Sequence, residues 1–291
     1  MTTLVSSPLS HRMSVWRKQT VFYAVLVILL MAILLPIAWA ISTALKSPGH
    51  VFVYPPEALP RPVKWRNFAD AWSQGQSFTI YFKNSLILTV FPVIGQVTSC
   101  SLVAYGFARF RFPLRNVLFM LLLATLLIPP QVTLIPQFIL FRHLNWINTF
   151  YPLIVPSYFA TSAFSVFLLR QFFMTIPREL DEAALVDGSS YFRIFFEILL
   201  PLLKPALIAV AIIGFFASWN DFLGPLIYLS SPEKYPLALG LNFFLTTYGG
   251  GVSHMELLMA ASLITLLLPL AIFVVAQRYF VEGIAMTGIR G

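Results

Sequence analysis

Long uncharged apolar runs, separated by short polar connections, set the pattern of this chain from end to end. The first, VFYAVLVILLMAILLPIAWAIST, fills residues 21–43. Others follow at about residues 85–107, 117–138, 151–169, 205–229 and 257–281. Each is close to the roughly 20 apolar residues that an α-helix needs to cross a bilayer. The pattern predicts an all-α polytopic membrane protein with six transmembrane helices. Pro36, Pro92, Pro156, Pro225 and Pro269 lie inside these runs and predict kinks, and Pro129-Pro130 predicts a break in the third.

Composition strengthens this reading. The chain is 58% hydrophobic and only 10% charged, whereas soluble domains carry about 25% charge. A net charge of +8 would suit nucleic acid, but the basic residues are scattered between apolar runs with no basic–aromatic stripe, so no nucleic-acid partner is expected. They suit loops at a membrane face better. Arg12, Arg17 and Lys18 precede the first run; Arg109, Arg111 and Arg115 follow the second; Arg170, Arg178, Arg193 and Lys204 lie between the fourth and fifth; Arg278 and Arg290 close the chain. The opposite short loops hold only Arg142 and Lys234. The first loop, with Lys46, Arg61, Lys64, Arg66 and Lys83, departs from the rule but is long, and long loops carry weaker topology information. Both termini are therefore expected in the cytoplasm. Ala38-Trp39-Ala40 has the form of a signal-peptide cleavage site, yet residues 21–37 exceed the roughly 7–15 apolar residues of such a peptide; an uncleaved first span is expected. The expected organisation is a tail at 1–20, a first span at 21–43, an extracytoplasmic loop at 44–79, a core at 80–281 and a cytoplasmic tail at 282–291. Trp65, Trp72 and Trp146 are expected at the outer interface.

One segment breaks the pattern. ELDEAALVDGSS, residues 179–190, holds four of the chain's 11 acidic residues. Pro177 is placed to open a helix. Glu179, Asp181 and Glu182 fall where the helix dipole favours negative charge. Leu180, Ala183, Ala184 and Asp187 share one predicted face, small enough for close approach by another protein. Gly188 is placed to end the helix in the left-handed conformation. Ser189 or Ser190 can then cap a second helix, YFRIFFEIL. Helices that lie on lipid carry Lys and Arg on the polar face, so this acidic one points to a protein partner.

These residues carry a specific resemblance. Glu182, Ala183, Ala184, Gly188, Ile198, Leu200 and Pro201 match the spacing E-A-A-x3-G-x9-I-x-L-P of the cytoplasmic loop in permease subunits of ATP-binding-cassette importers. The flanks IPRELDEAALVDGSS, SWNDFLGPLIYL and QRYFVEGIAMTGIRG, with KNSL at residues 83–86, resemble the carbohydrate branch of that family, the maltose-type second permease in particular. The resemblance implies a type I importer permease of a bacterial cytoplasmic membrane. It implies four kinds of partner: a second homologous permease, two ATPase subunits, an extracytoplasmic solute-binding protein and membrane lipid. It places the ATPase-coupling role in residues 175–204: Glu179, Leu180, Glu182, Ala183, Ala184, Asp187, Gly188, Ile198, Leu200 and Pro201. The sequence has no G-x-x-x-x-G-K-[ST] phosphate loop, so no bound cofactor is expected and ATP with Mg belongs to the partner ATPase.

Other chemistry is sparse. Cys100 sits in an apolar run and reads as a small buried hydrophobe. His11, His50, His143 and His254 are scattered, and no metal-ligand spacing links them. Trp219, Asn220 and Asp221 precede an expected break at Gly224-Pro225 and offer an aromatic face, an amide and a carboxylate suited to sugar hydroxyls, or to backbone groups freed by the break. Glu256 is expected at the water interface with no assigned role. The solute is expected to be a sugar or sugar derivative; glycerol phosphate is the alternative. An ion-coupled secondary transporter is disfavoured because no internal repeat is evident.

Overall fold

The computed structural model describes residues 8–73, 78–248 and 254–288, with side chains described for 18–73, 78–242 and 254–277. The glycine run at 249–251, Arg290 and the ends of both tails lie outside the described residues, as do the side chains of His11 and Arg278. Among the described residues there is helix and no strand. In order, the α-helices are α1 Pro8–Ala44, α2 Arg66–Ser73, α3 Phe78–Arg109, α4 Arg115–Ala124, α5 Pro130–His143, α6 Tyr151–Ile154 and α7 Ala163–Thr175. Then come α8 Glu179–Val186, α9 Tyr191–Arg193, α10 Leu200–Leu202, α11 Lys204–Trp219, α12 Leu223–Tyr228, α13 Leu237–Tyr248 and α14 Met255–Gly288. A π-helical turn, Ile194–Leu199, joins α9 to α10.

Four stretches are long and apolar enough to cross a membrane: Lys18–Ala44, Phe78–Arg109, Tyr151–Thr175 and Met255–Gln277. Two further candidates are bent pairs, Arg115–Leu127 with Pro130–His143 at 100° and Tyr191–Leu202 with Lys204–Trp219 at 79°. The first bend is the break expected at Pro129-Pro130, and it is a sharp turn. Pro129 takes φ −59° and ψ 133°, because the residue before a proline is driven out of the helical region. The fifth run also departs from expectation. Its helix stops at Trp219, and α12 resumes only at Leu223.

The chain divides into two compact units, one of Met1–Ala71 with Tyr248–Ile264 and one of Trp72–Thr247 with Thr265–Gly291. In the first, Asn67 Nδ2 donates to the carbonyls of Ala44 (2.8 Å) and Lys46 (2.7 Å), satisfying orphan acceptors at the end of α1. The apolar part of α1 is exposed on every side. At the start of α14, Glu256 is 1% exposed, with Oε1 3.2 Å from His254 Nδ1.

In the second unit α3 is the axis, packed chiefly against α7 and α11. Cys100, Ala104 and Ala108 recur every four residues along α3 and are buried; small side chains let membrane helices approach closely. Polar groups tie the same helices. Gln96 Nε2 donates to Ser165 Oγ at 2.7 Å, and Ser99 Oγ accepts from Ala160 N–H at 3.1 Å where the chain turns left-handed between α6 and α7. The core they enclose includes Tyr105, Phe173, Ile194, Phe195 and Leu199. It sits directly behind the acidic segment.

Candidate functional site

The acidic segment forms a short helix with both ends defined by hydrogen bonds. α8 begins at Glu179, two residues later than Pro177 predicted, with Arg178 as N-cap and its carbonyl accepting from Glu182 N–H at 3.1 Å. At the other end Gly188 takes φ +82°. Gly188 N–H then reaches the Leu185 carbonyl (3.0 Å) and Ser189 N–H the Ala184 carbonyl (2.9 Å), the paired bonds of a Schellman motif. Ser190 caps the following helix, accepting from Arg193 N–H at 3.3 Å.

Exposure sorts the side chains differently from the predicted face. Glu179, Glu182, Ala183 and Val186 are exposed, Val186 at 89%. They recur at i, i+3, i+4 and i+7, one stripe of a helix. Leu180, Leu185 and Asp187 flank it, also exposed. Ala184 points the other way. It is 7% exposed and joins the core with Tyr105 and Phe173. Ala183 and Ala184 therefore do not share one exposed face: one residue turns a helix by about 100°, and Ala184 belongs to a core that includes residues of α3 and α7. Ile198 and Leu200 are partly buried against the same core, while Pro201 is exposed.

Asp181 also turns inward, to a partner the sequence reading missed. Its Oδ2 lies 2.9 Å from Arg109 Nε, with side chains 15% and 6% exposed. The approach is oblique and acts as a charge contact, leaving Asp181 Oδ1 without a hydrogen bond. Arg109 Nη2 donates to the Ile176 carbonyl (3.1 Å), and Arg178 Nη2 returns a bond to the Ala108 carbonyl (3.2 Å). Burial pushes the Asp181 carboxyl above its ordinary value, and Arg109 and Arg178 pull it part of the way back. A cleft of about 330 Å³ opens here, lined by Tyr105, Arg109, Phe110, Arg178, Asp181 and Glu182 among others. Arg109 reads as a topology charge in sequence, because a contact 72 residues away leaves no local signal.

The second predicted site is not assembled as one polar surface. Trp219 is 5% exposed, its ring stacked on Phe215 (5.6 Å) and edge-on to Phe82 (6.2 Å). Asp221 Oδ1 accepts from Gly224 N–H at 3.0 Å, and a Cβ on Gly224 would strike that carboxylate. Asn220 is exposed, with Nδ2 donating to the Phe216 carbonyl at 2.9 Å. Trp219 and Asp221 are thus engaged within the chain, around the break between α11 and α12, as expected of side chains that hold backbone groups freed by a break. Cys100 is buried, as expected. No group of three metal-binding side chains occurs among the described residues.

Comparison with known proteins follows the same lines. Residues 98–285 match the family described as "Binding-protein-dependent transport system inner membrane component". The sn-glycerol-3-phosphate transport system permease protein of Pectobacterium atrosepticum is 34% identical over 267 residues, 90% of this chain and 94% of that one. The arabinooligosaccharides transport system permease protein of Halalkalibacterium halodurans is 34% identical over 250 residues, 86% of each. A chain of a bacterial ABC transporter involved in the import of the acidic polysaccharide alginate has the same fold, with a TM-score of 0.79 at 24% identity over 96% of this chain and 100% of that one.

Proposed function

We propose, from the premise that this chain belongs to the binding-protein-dependent transport system inner membrane components, that it forms half of a solute pathway and is driven through α8. It is an ABC importer permease of the inner membrane. Its partners in this reading are a second permease of the same family, two ATPase subunits that bind and hydrolyse ATP with Mg, and an extracytoplasmic solute-binding protein. The cargo is a sugar or a small polyol derivative such as glycerol phosphate, the two solute classes named for its relatives.

The exposed stripe Glu179, Glu182, Ala183 and Val186 carries the reading. It is a ready docking edge: two carboxylates for basic groups, a small residue for close contact and an apolar end. The C-terminal end of α8 is closed by hydrogen bonds and its first turn is held by Arg109 through Asp181, so it can transmit displacement as a rigid piece. Alternating access needs such a contact, since ATP biases the two states of the permease only through surfaces that differ between them.

Reconstitution tests the reading. The permease, its neighbour-encoded second permease and ATPase are placed in proteoliposomes with the cognate binding protein. Radiolabelled glycerol 3-phosphate and an arabino-oligosaccharide are offered separately. Uptake of at least one is expected to need enclosed ATP and the binding protein, and to persist when ionophores collapse ion gradients. Uptake that ignores ATP and stops with the ionophores would instead make this an ion-coupled carrier.

A further inference from the structure

We propose that Arg109 and Asp181 form a clasp that makes α8 and the cytoplasmic end of α3 one moving body, so that displacement of α8 is delivered to α3. This rests on the reading of α8 as the ATPase contact and adds the element by which the motion enters the membrane.

The geometry is reciprocal. From α3, Arg109 holds the Asp181 carboxylate at 2.9 Å and the Ile176 carbonyl at 3.1 Å. From the segment entering α8, Arg178 holds the Ala108 carbonyl at 3.2 Å. One turn back on α3, Tyr105 Oη donates to the Tyr191 carbonyl at 3.2 Å, beyond the glycine break. The Tyr105 ring lies 5.0 Å from that of Phe195 in the π-helical turn. The last two turns of α3 therefore grip the chain before, within and after α8. The charges also stand at favourable places, a cation at the C-terminus of α3 and an anion in the first turn of α8.

Stability alone is a weak reason for such a pair. Taking both charges out of water offsets much of their attraction, and an apolar pair often packs as well. A buried ion pair does fix position, since each partner left alone is an uncompensated charge. Asp181 lies beside the exposed Glu182 but is turned about 100° from it, so the first turn of α8 carries one carboxylate held by Arg109 and one exposed. α3 is also the helix that α7 and α11 pack against, and its displacement reaches both.

The test measures distance and coupling in the assembled transporter. Spin labels are placed at Val186 on α8 and Leu102 on α3, both exposed, in a Cys100→Ser background. In the otherwise unmodified complex the distance is expected to stay within about 2 Å, the scale of helix shifts at interfaces, between nucleotide-free and ATP-bound states. In Asp181→Asn and Arg109→Gln it is expected to broaden and to change with nucleotide. Solute carried per ATP hydrolysed is expected to fall roughly two- to thirtyfold, the range for broken coupling elements, with the ATPase still co-purifying. A nucleotide-dependent change beyond about 2 Å in the unmodified complex would overturn the clasp even with the ATPase firmly bound. So would both variants keeping a narrow distance and normal coupling. Failure of the unmodified permease to hold its ATPase would sink the docking reading itself, and the clasp with it.

Discussion

Ala183→Leu and Ala184→Leu, neighbouring substitutions of the same kind, are expected to fail in opposite ways. Ala184 is 7% exposed inside the core formed with Tyr105, Phe173 and Phe195. Extra methylenes there force side chains off their rotamers, at a cost of about 1–3 kcal/mol. Ala184→Leu should therefore lower the melting temperature of the detergent-purified permease and reduce its yield. Ala183 is exposed on the acidic stripe, and the permease alone should not register the change. Ala183→Leu should keep the melting temperature yet weaken retention of the ATPase, and Ala183→Trp should abolish it. Thermal unfolding and co-purification separate the two. If Ala183→Trp keeps both ATPase and uptake, the stripe is not a docking surface.

Gly188 gives the second large effect. Its φ of +82° is outside the range that side-chain-bearing residues readily adopt, and a Cβ there would meet nothing within 4 Å. The penalty is therefore one of backbone conformation rather than collision. For an L residue held left-handed it is about 1–2 kcal/mol, smaller for Asn, which visits this region, and greatest for a β-branched residue. Gly188→Asn should stay close to normal uptake, Gly188→Ala should be impaired and Gly188→Val should be inactive although inserted. The turn carries the Gly188 and Ser189 N–H bonds that end α8, so Gly188→Val should misdirect the helix that Ser190 caps. An order set by side-chain volume, with Asn worse than Ala, would show that space rather than φ governs this turn.

The membrane class was plain from the apolar runs, because spans need length and composition and little else. The α8 segment was legible too: acids in the first turn, glycine at the end and serine at the next cap are local signals, and each appears in the fold. What stayed hidden was direction. Nothing in EAA says which alanine faces inward; that depends on the register set where Arg178 starts the helix. The Arg109–Asp181 pair was hidden for another reason. Arginines after a span are ordinary topology charges, and only the folded chain brings this one to an acid 72 residues on. The fifth run read as one span because Asn220 and Asp221 interrupt it only briefly, yet their side chains bond the local backbone and stop α11 at Trp219. Glu256 likewise looked like a surface acid at a helix start, and its burial beside His254 has no sequence signature.

Site-directed photocrosslinking from α8 tests the central claim most directly. A benzophenone amino acid is placed at Val186, 89% exposed, or at Trp65, 70% exposed in the loop expected on the other side of the membrane, in inverted membrane vesicles containing the whole transporter. Val186 is expected to give a covalent permease–ATPase adduct whose yield changes when ATP is added, and Trp65 none. Lipid adducts alone at Val186, with and without ATP, would contradict the account and leave α8 a loop at the membrane surface.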